Sequence, residues 1–140
     1  MSEGRMRKQD PLTSLPSGSG EYDVAIAGGG LAGLALSIQC AQAGYRTILF
    51  EREKYPFHKV CGEYVSLESW NFLEDLGVPL SQMNLPIIRR VLVTAPNGKK
   101  VEHGLPLGGV GISRFKLDSL MAEIATNSGV QIVEGTRADS

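Results

Sequence analysis

The stretch that most constrains this chain runs from Tyr22 to Glu51, YDVAIAGGGLAGLALSIQCAQAGYRTILFE. An apolar run, Val24-Ala25-Ile26-Ala27, leads into three glycines and then Leu31-Ala32-Gly33. An alanine- and leucine-rich segment follows as far as Gly44, and a second apolar run, Thr47-Ile48-Leu49-Phe50, ends at Glu51. The order is strand, glycine turn, helix, strand, acid. Leu31, Leu34, Ala35, Ile38 and Ala41 recur at helical spacing and form one apolar face. Two strands joined by such a helix are expected to lie parallel, as a β-α-β unit.

The spacing Gly28-x-Gly30-x-x-Gly33 inside that unit is the dinucleotide-binding fingerprint. Gly28 allows a sharp turn out of the strand, Gly30 lets a pyrophosphate approach the main chain, and Gly33 lets the helix lie close on the strand. The free N–H groups at the helix start, at Leu31 and Ala32, point toward the phosphates, where the helix dipole favours negative charge. Glu51 at the end of the second strand can accept hydrogen bonds from adenosine ribose hydroxyls and would repel a 2′-phosphate. That favours FAD or NAD over NADP. A tight βα turn without a nucleotide is the plainer alternative, but it leaves Glu51 unexplained.

Length and composition set bounds. The chain has 140 residues, about one ordinary domain. Its net charge of −1 gives no electrostatic footprint for nucleic acid. Cys40 and Cys61 have neither paired nor metal-ligand spacing, and their sparseness fits a reducing cytoplasm. Residues 1–20 are polar, with a Ser/Gly run and no apolar core of a signal peptide, and read as a disordered tail. The most apolar window, Val24 to Ala43, is broken by glycines and polar residues and reads as a buried strand and helix, not a transmembrane segment.

Beyond Glu51 a charged and aromatic loop without regular period extends to Val65. Loops after the carboxyl end of a strand are where ligand contacts concentrate. Ser66 is placed to cap a helix through Trp70, Phe72, Leu73 and Leu76, stopping at Gly77. Ile87 to Thr94 reads as a strand, Asn97-Gly98 as a hairpin turn, Lys99 to Leu105 as the partner strand, and Leu107 to Ile112 as a separate short strand. Ser113 caps a helix from Arg114 to about Asn127, with Leu117, Leu120, Met121 and Ile124 on its apolar face. Val130 to Val133 is the third parallel strand.

With these elements placed, the chain resembles the FAD-dependent oxidoreductases that group p-hydroxybenzoate hydroxylase-like monooxygenases with geranylgeranyl reductases. Three segments carry the resemblance: Asp23 to Glu51; Lys59-Val60-Cys61-Gly62-Glu63; and Gly111-Ile112-Ser113-Arg114-Phe115-Lys116-Leu117-Asp118. The resemblance implies an α/β fold: a Rossmann-like FAD-binding βαβ domain with a parallel sheet and an inserted β-hairpin. Residues 21–140 would be the N-terminal part of a FAD/NAD(P)-binding domain in a larger enzyme, and the hairpin at 87–105 would belong to a substrate-binding sheet.

By the same resemblance, Gly28, Gly30 and Gly33 hold the FAD pyrophosphate and Glu51 the adenosine ribose. The 59–63 loop, with Lys59, Cys61 and Gly62, passes the isoalloxazine. Arg114 contacts FAD, and the strand of Ile132 lies near the adenine. Geranylgeranyl reductases carry K-x-C-G-G-G at this loop. Glu63 departs from that pattern, which leans away from a strict geranylgeranyl reductase.

Plainer readings stand beside these. Arg52, grouped with the cofactor-binding candidates, Lys54 and Lys59 are most simply solvated charges. Cys40 is a small buried hydrophobe, and Cys61 is either an ordinary buried thiol or flavin-proximal. His58 is a surface or loop-packing residue, Trp70 belongs to the core, and Arg114 could instead pair with Asp118 four residues on. No catalytic residue and no metal ligand is assigned.

In such enzymes NAD(P)H reduces the flavin, which then either hydroxylates an aromatic or other small-molecule substrate or reduces a double bond, as in isoprenoids. The 140 residues alone are expected to bind FAD weakly or not at all and not to turn over. The alternatives are an NAD-dependent Rossmann dehydrogenase and a truncated, non-catalytic nucleotide-binding fragment.

Overall fold

The computed structural model describes residues 21–61 and 63–137. The expected tail at 1–20 and the Gly62 assignment lie outside the described residues. Among the described residues, two sheets of three strands form the frame. The first contains β1 (Val24–Ala27), β2 (Thr47–Glu51) and β6 (Gln131–Glu134), in the order β1-β2-β6. Both pairings are parallel, with Ile26 opposite Leu49 and Leu49 opposite Ile132. This is the expected βαβ unit with its third strand, and it reproduces half of a doubly wound nucleotide-binding sheet.

Helix α1 (Leu31–Gln42) crosses from β1 to β2 and buries Leu34, Ala35 and Ile38, the stripe expected from its spacing. Leu31 and Ala41 pack half-buried against the same core, while Cys40 is only half-buried rather than fully enclosed. Helix α3 (Arg114–Asn127) begins where Ser113 Oγ accepts the N–H of Lys116 at 3.3 Å. It buries Leu117, Met121 and Ala125 completely, while Ile124 of the expected stripe is half-buried against the core. Asp118 is also buried on this helix, which hydrophobic spacing gives no reason to expect. Ile26, Leu49, Ile112 and Val130 close the core from the strands, and Leu73, Leu76, Val78 and Leu80 close it from the α2 region (α2, Trp70–Asp75). Trp70 packs half-buried against it, as expected.

The second sheet is antiparallel, in the order β3 (Tyr64–Ser66), β5 (Lys100–Gly111), β4 (Ile87–Thr94). Three expectations are corrected here. Val65, placed in the loop, belongs to β3, which exists by pairing with Gly109–Gly111. Ser66 caps a single 3-10 turn, Leu67–Ser69, before the short α2 begins. The two strands expected at 99–105 and 107–112 are one continuous β5, interrupted in register between Ile88 and Arg90. Pro106 lies in that irregularity, where a residue without an N–H costs no ladder bond. β4 and the Asn97-Gly98 turn are as expected, and Gly98 adopts φ +80°. Leu92, Val93 and Val101 on the hairpin are exposed.

Candidate functional site

The glycine turn sits where β1 delivers the chain to the N-terminus of α1. Gly28 has φ +100° and donates its N–H to Phe50 O at 2.8 Å, so the turn is bonded to the end of β2. A Cβ on Gly33 would lie 1.9 Å from Gly28 O and 3.4 Å from Ile26 Cγ2, so helix and strand touch at that residue. Both glycines are therefore required by the fold.

Gly30 is different. It is the N-cap of α1, with φ −75° and ψ −179°, a conformation open to any residue. A Cβ there would meet nothing nearer than Lys59 Nζ at 3.9 Å. The space over Gly30 is left clear by the protein, next to the N–H groups that a helix start leaves without intrahelical partners. That cradle fits a phosphate group.

Glu51 is 7% exposed. Its Oε2 accepts the N–H of Gly29 at 2.8 Å and its Oε1 that of Glu53 at 3.1 Å. Tyr55 was not singled out by sequence, yet its hydroxyl donates to Gly29 O, and its N–H donates to Glu134 Oε1 at 3.0 Å. Burial, reinforced by the negative charges of Glu51, Asp118 and Glu134, pushes the Tyr55 phenol well above its ordinary value. The phenol is held protonated, as a donor to a main-chain carbonyl requires.

A cleft of about 380 Å3 opens at the carboxyl ends of β1, β2 and β6, lined by Ala27, Gly28, Phe50, Glu51, Arg52, Phe57, Lys59, Thr136 and Arg137. In an open α/β sheet this is where ligands bind. Of the sequence candidates, the structure brings Gly28, Glu51, Arg52 and Lys59 to this one cleft. Leu31 and Ala32 turn their side chains into a separate apolar groove of about 230 Å3 with Val65, Phe72 and Met121, leaving only their main chain for a phosphate. Arg52 is exposed and pairs with Glu53 at 3.4 Å.

Lys59 is not a simply solvated charge. Its Nζ lies 3.3 Å from Asp118 Oδ2 and 4.5 Å from the centroid of the Phe57 ring. Arg114 makes the intrahelical pair: Nε and a terminal nitrogen reach the two carboxylate oxygens of Asp118 at 2.7 and 3.0 Å. That bond raises the Arg114 pKa further. Cys61 is exposed, which removes the buried-thiol reading. His58 stacks on Phe115 with centroids 4.6 Å apart, a packing role as expected. Among the described residues no cluster of three or more His, Cys, Asp or Glu could hold a metal, and no helix is long and apolar enough to cross a membrane.

Sequence reasoning missed Tyr55, Thr136 and Arg137, and it named Asp118 only as a partner for Arg114, not for Lys59. The Tyr55 contacts and the Lys59–Asp118 pair depend on how the 52–61 loop folds back, which no local pattern encodes. Thr136 and Arg137 could have been anticipated only as the residues that follow a third parallel strand.

Comparison with known proteins agrees with this geometry. The family described as FAD binding domain matches residues 23–59. A digeranylgeranylglycerophospholipid reductase 2 of Methanopyrus kandleri is 31% identical over 114 residues, 80% of this chain and 28% of the relative. A geranylgeranyl bacteriochlorophyll reductase-like structure from Thermoplasma acidophilum aligns with TM-score 0.66 at 22% identity, over 84% of this chain and 30% of that one. The flavin-dependent halogenase CmlS aligns with TM-score 0.71 at 21% identity, over 88% of this chain and 24% of that one. The chain thus spans under a third of the length of each of these proteins. Its glycine cradle, parallel sheet and sequence relatives make the chain similar to the FAD-binding domains of flavin-dependent oxidoreductases.

Proposed function

We propose that this chain holds the ADP half of FAD within a flavin-dependent enzyme that takes electrons from NAD(P)H and reduces a double bond in an isoprenoid substrate. The observation that carries the FAD reading is Gly30: the fold leaves the space above it clear, and a pyrophosphate is the group that would use it. In this reading the N–H groups of Gly30, Leu31 and Ala32 bind the pyrophosphate, with the Gly28 turn and the close packing at Gly33 holding them in place. Glu51, already bound to two main-chain N–H groups, accepts ribose hydroxyls with its remaining lone pairs. Lys59, Arg52 and Arg114 supply positive charge around the diphosphate, and the cleft wall at Thr136 and Arg137 faces the adenosine. Cys61 borders the flavin end of the site.

Bound FAD supplies the hydride chemistry; the residues of this chain bind it and orient it. Reduction rather than hydroxylation is favoured by the relative named as a lipid reductase. The exposed apolar side chains of the β4–β5 hairpin support its membership of a substrate-binding sheet. The free thiols of Cys40 and Cys61 support a cytoplasmic setting. The 140 residues on their own bind FAD weakly and turn nothing over.

An FAD titration of the chain, followed by flavin fluorescence and by absorbance in the flavin bands, tests this reading. Weak saturable binding and no NAD(P)H oxidation are expected. Binding of NAD with none of FAD would overturn it, and so would steady NADPH oxidation by these residues alone.

A further inference from the structure

Asp118 has no place in the cofactor contacts assigned so far, yet its carboxylate is 1% exposed and has two cationic partners from different parts of the chain. Arg114 occupies both oxygens from one side in a planar fork, at 2.7 and 3.0 Å. That fork fixes the plane of the carboxylate. Lys59 Nζ also meets Oδ2, at 3.3 Å. Lys59 comes from the 52–61 loop, is itself 27% exposed, and lines the cleft beside Gly28. Its Nζ is the nearest atom to the clear space over Gly30.

Two cations around one buried anion leave a net positive charge, and it faces the cradle. A lysine on a flexible loop spreads its ammonium over many rotamers unless something holds it. Here the buried carboxylate holds it at the mouth of the phosphate site.

We infer that Asp118 is a positioning residue for the dinucleotide: anchored by Arg114, it fixes the Lys59 ammonium over Gly30, where it pairs with the pyrophosphate. This rests on the FAD reading above and adds to it the part that sets the phosphate-facing charge. The inference has a sign that separates it from simple electrostatics. Removing a negative charge near an anion site should tighten anion binding if only net charge matters. If Asp118 acts by positioning, its removal weakens binding.

The test is an FAD titration of the wild-type chain, Asp118→Asn, Lys59→Met and the double variant. It is run at low temperature, where circular dichroism confirms folded protein. Asp118→Asn and Lys59→Met should each weaken FAD by about tenfold, the loss of one well-placed charge-assisted contact, and the double variant should be no weaker than Lys59→Met. Equal or tighter binding by Asp118→Asn overturns the inference and leaves the FAD reading intact, as do effects that multiply in the double variant. A wild-type chain that binds no FAD overturns both.

A second readout needs no substitution at Asp118. The side-chain ammonium resonance of Lys59, slowed in exchange by its carboxylate partner, should be visible by NMR and should shift as FAD is added. A resonance that stays in place while FAD binds overturns the inference even if Asp118→Asn does not fold.

Discussion

Glu51 Oε2 accepts the main-chain N–H of Gly29 across 2.8 Å, so the acid that ends β2 is tied to the turn that leaves β1. Its other oxygen accepts the N–H of Glu53. One buried carboxylate thereby braces the glycine turn and the start of the next loop. Glu51→Gln keeps the volume but sets an NH2 against one of those N–H groups. It should cost about 1–3 kcal/mol of stability, the usual penalty for a buried donor left unpaired, read as a lower urea midpoint. Because this residue serves the fold as well as the ligand site, its substitution cannot separate the two.

Gly33→Ala tests the contact between helix and strand. The new Cβ would lie 1.9 Å from the main-chain oxygen of Gly28, an atom that cannot rotate away. Overpacking of this kind costs about 1–3 kcal/mol, and thermal unfolding should show a clear drop in Tm. An unchanged Tm would mean that α1 does not lie against β1 as described.

Tyr55→Phe removes the hydroxyl bonded to Gly29 O, with a stability loss of about 1–3 kcal/mol at neutral pH. The pH dependence has a definite sign. Burial raises the phenol above its unfolded value of about 10, so its contribution is full below about pH 10 and is lost as pH rises through the folded value. Urea unfolding of the two proteins should therefore differ most at pH 7–9 and converge above about pH 10. A gap independent of pH would show that the phenol is not held protonated by the fold.

Glu63 adopts φ +54°, in the left-handed region, while its carbonyl accepts the N–H of Ile112 at 2.9 Å. A side chain there costs about 1–2 kcal/mol, of which a glycine's extra unfolded-state entropy takes back about 0.5–1. Glu63→Gly should raise stability by a few tenths to about 1 kcal/mol, and Glu63→Val should lower it. Urea unfolding of the three proteins side by side would show the order.

What could be read from the sequence follows the range over which each feature is determined. The turn at Gly28, the α1 stripe of Leu34 and Ile38, and the hairpin at Asn97-Gly98 are local, and all appear where expected. The acid at Glu51 was legible because strand and helix lengths bring it beside the glycine turn. β3 was not legible: a three-residue strand has no period of its own and forms only against Gly109–Gly111. The break read at Pro106 was a real irregularity but not an end, because β4 and β3 hold β5 on either side of it. Lys59 and Asp118 lie far apart in sequence, and nothing near either residue encodes their pairing. Without that partner Lys59 reads as a solvated charge.

The central claim is that the space above Gly30 is kept for a ligand. Gly30→Asn tests it most directly, because asparagine is a favoured N-cap and, beyond the adjoining chain, the nearest atom to the new Cβ is Lys59 Nζ at 3.9 Å. The account predicts a Tm equal to or above that of wild type together with loss of measurable FAD binding in the same titration. Unchanged FAD affinity in the folded Gly30→Asn chain would contradict it.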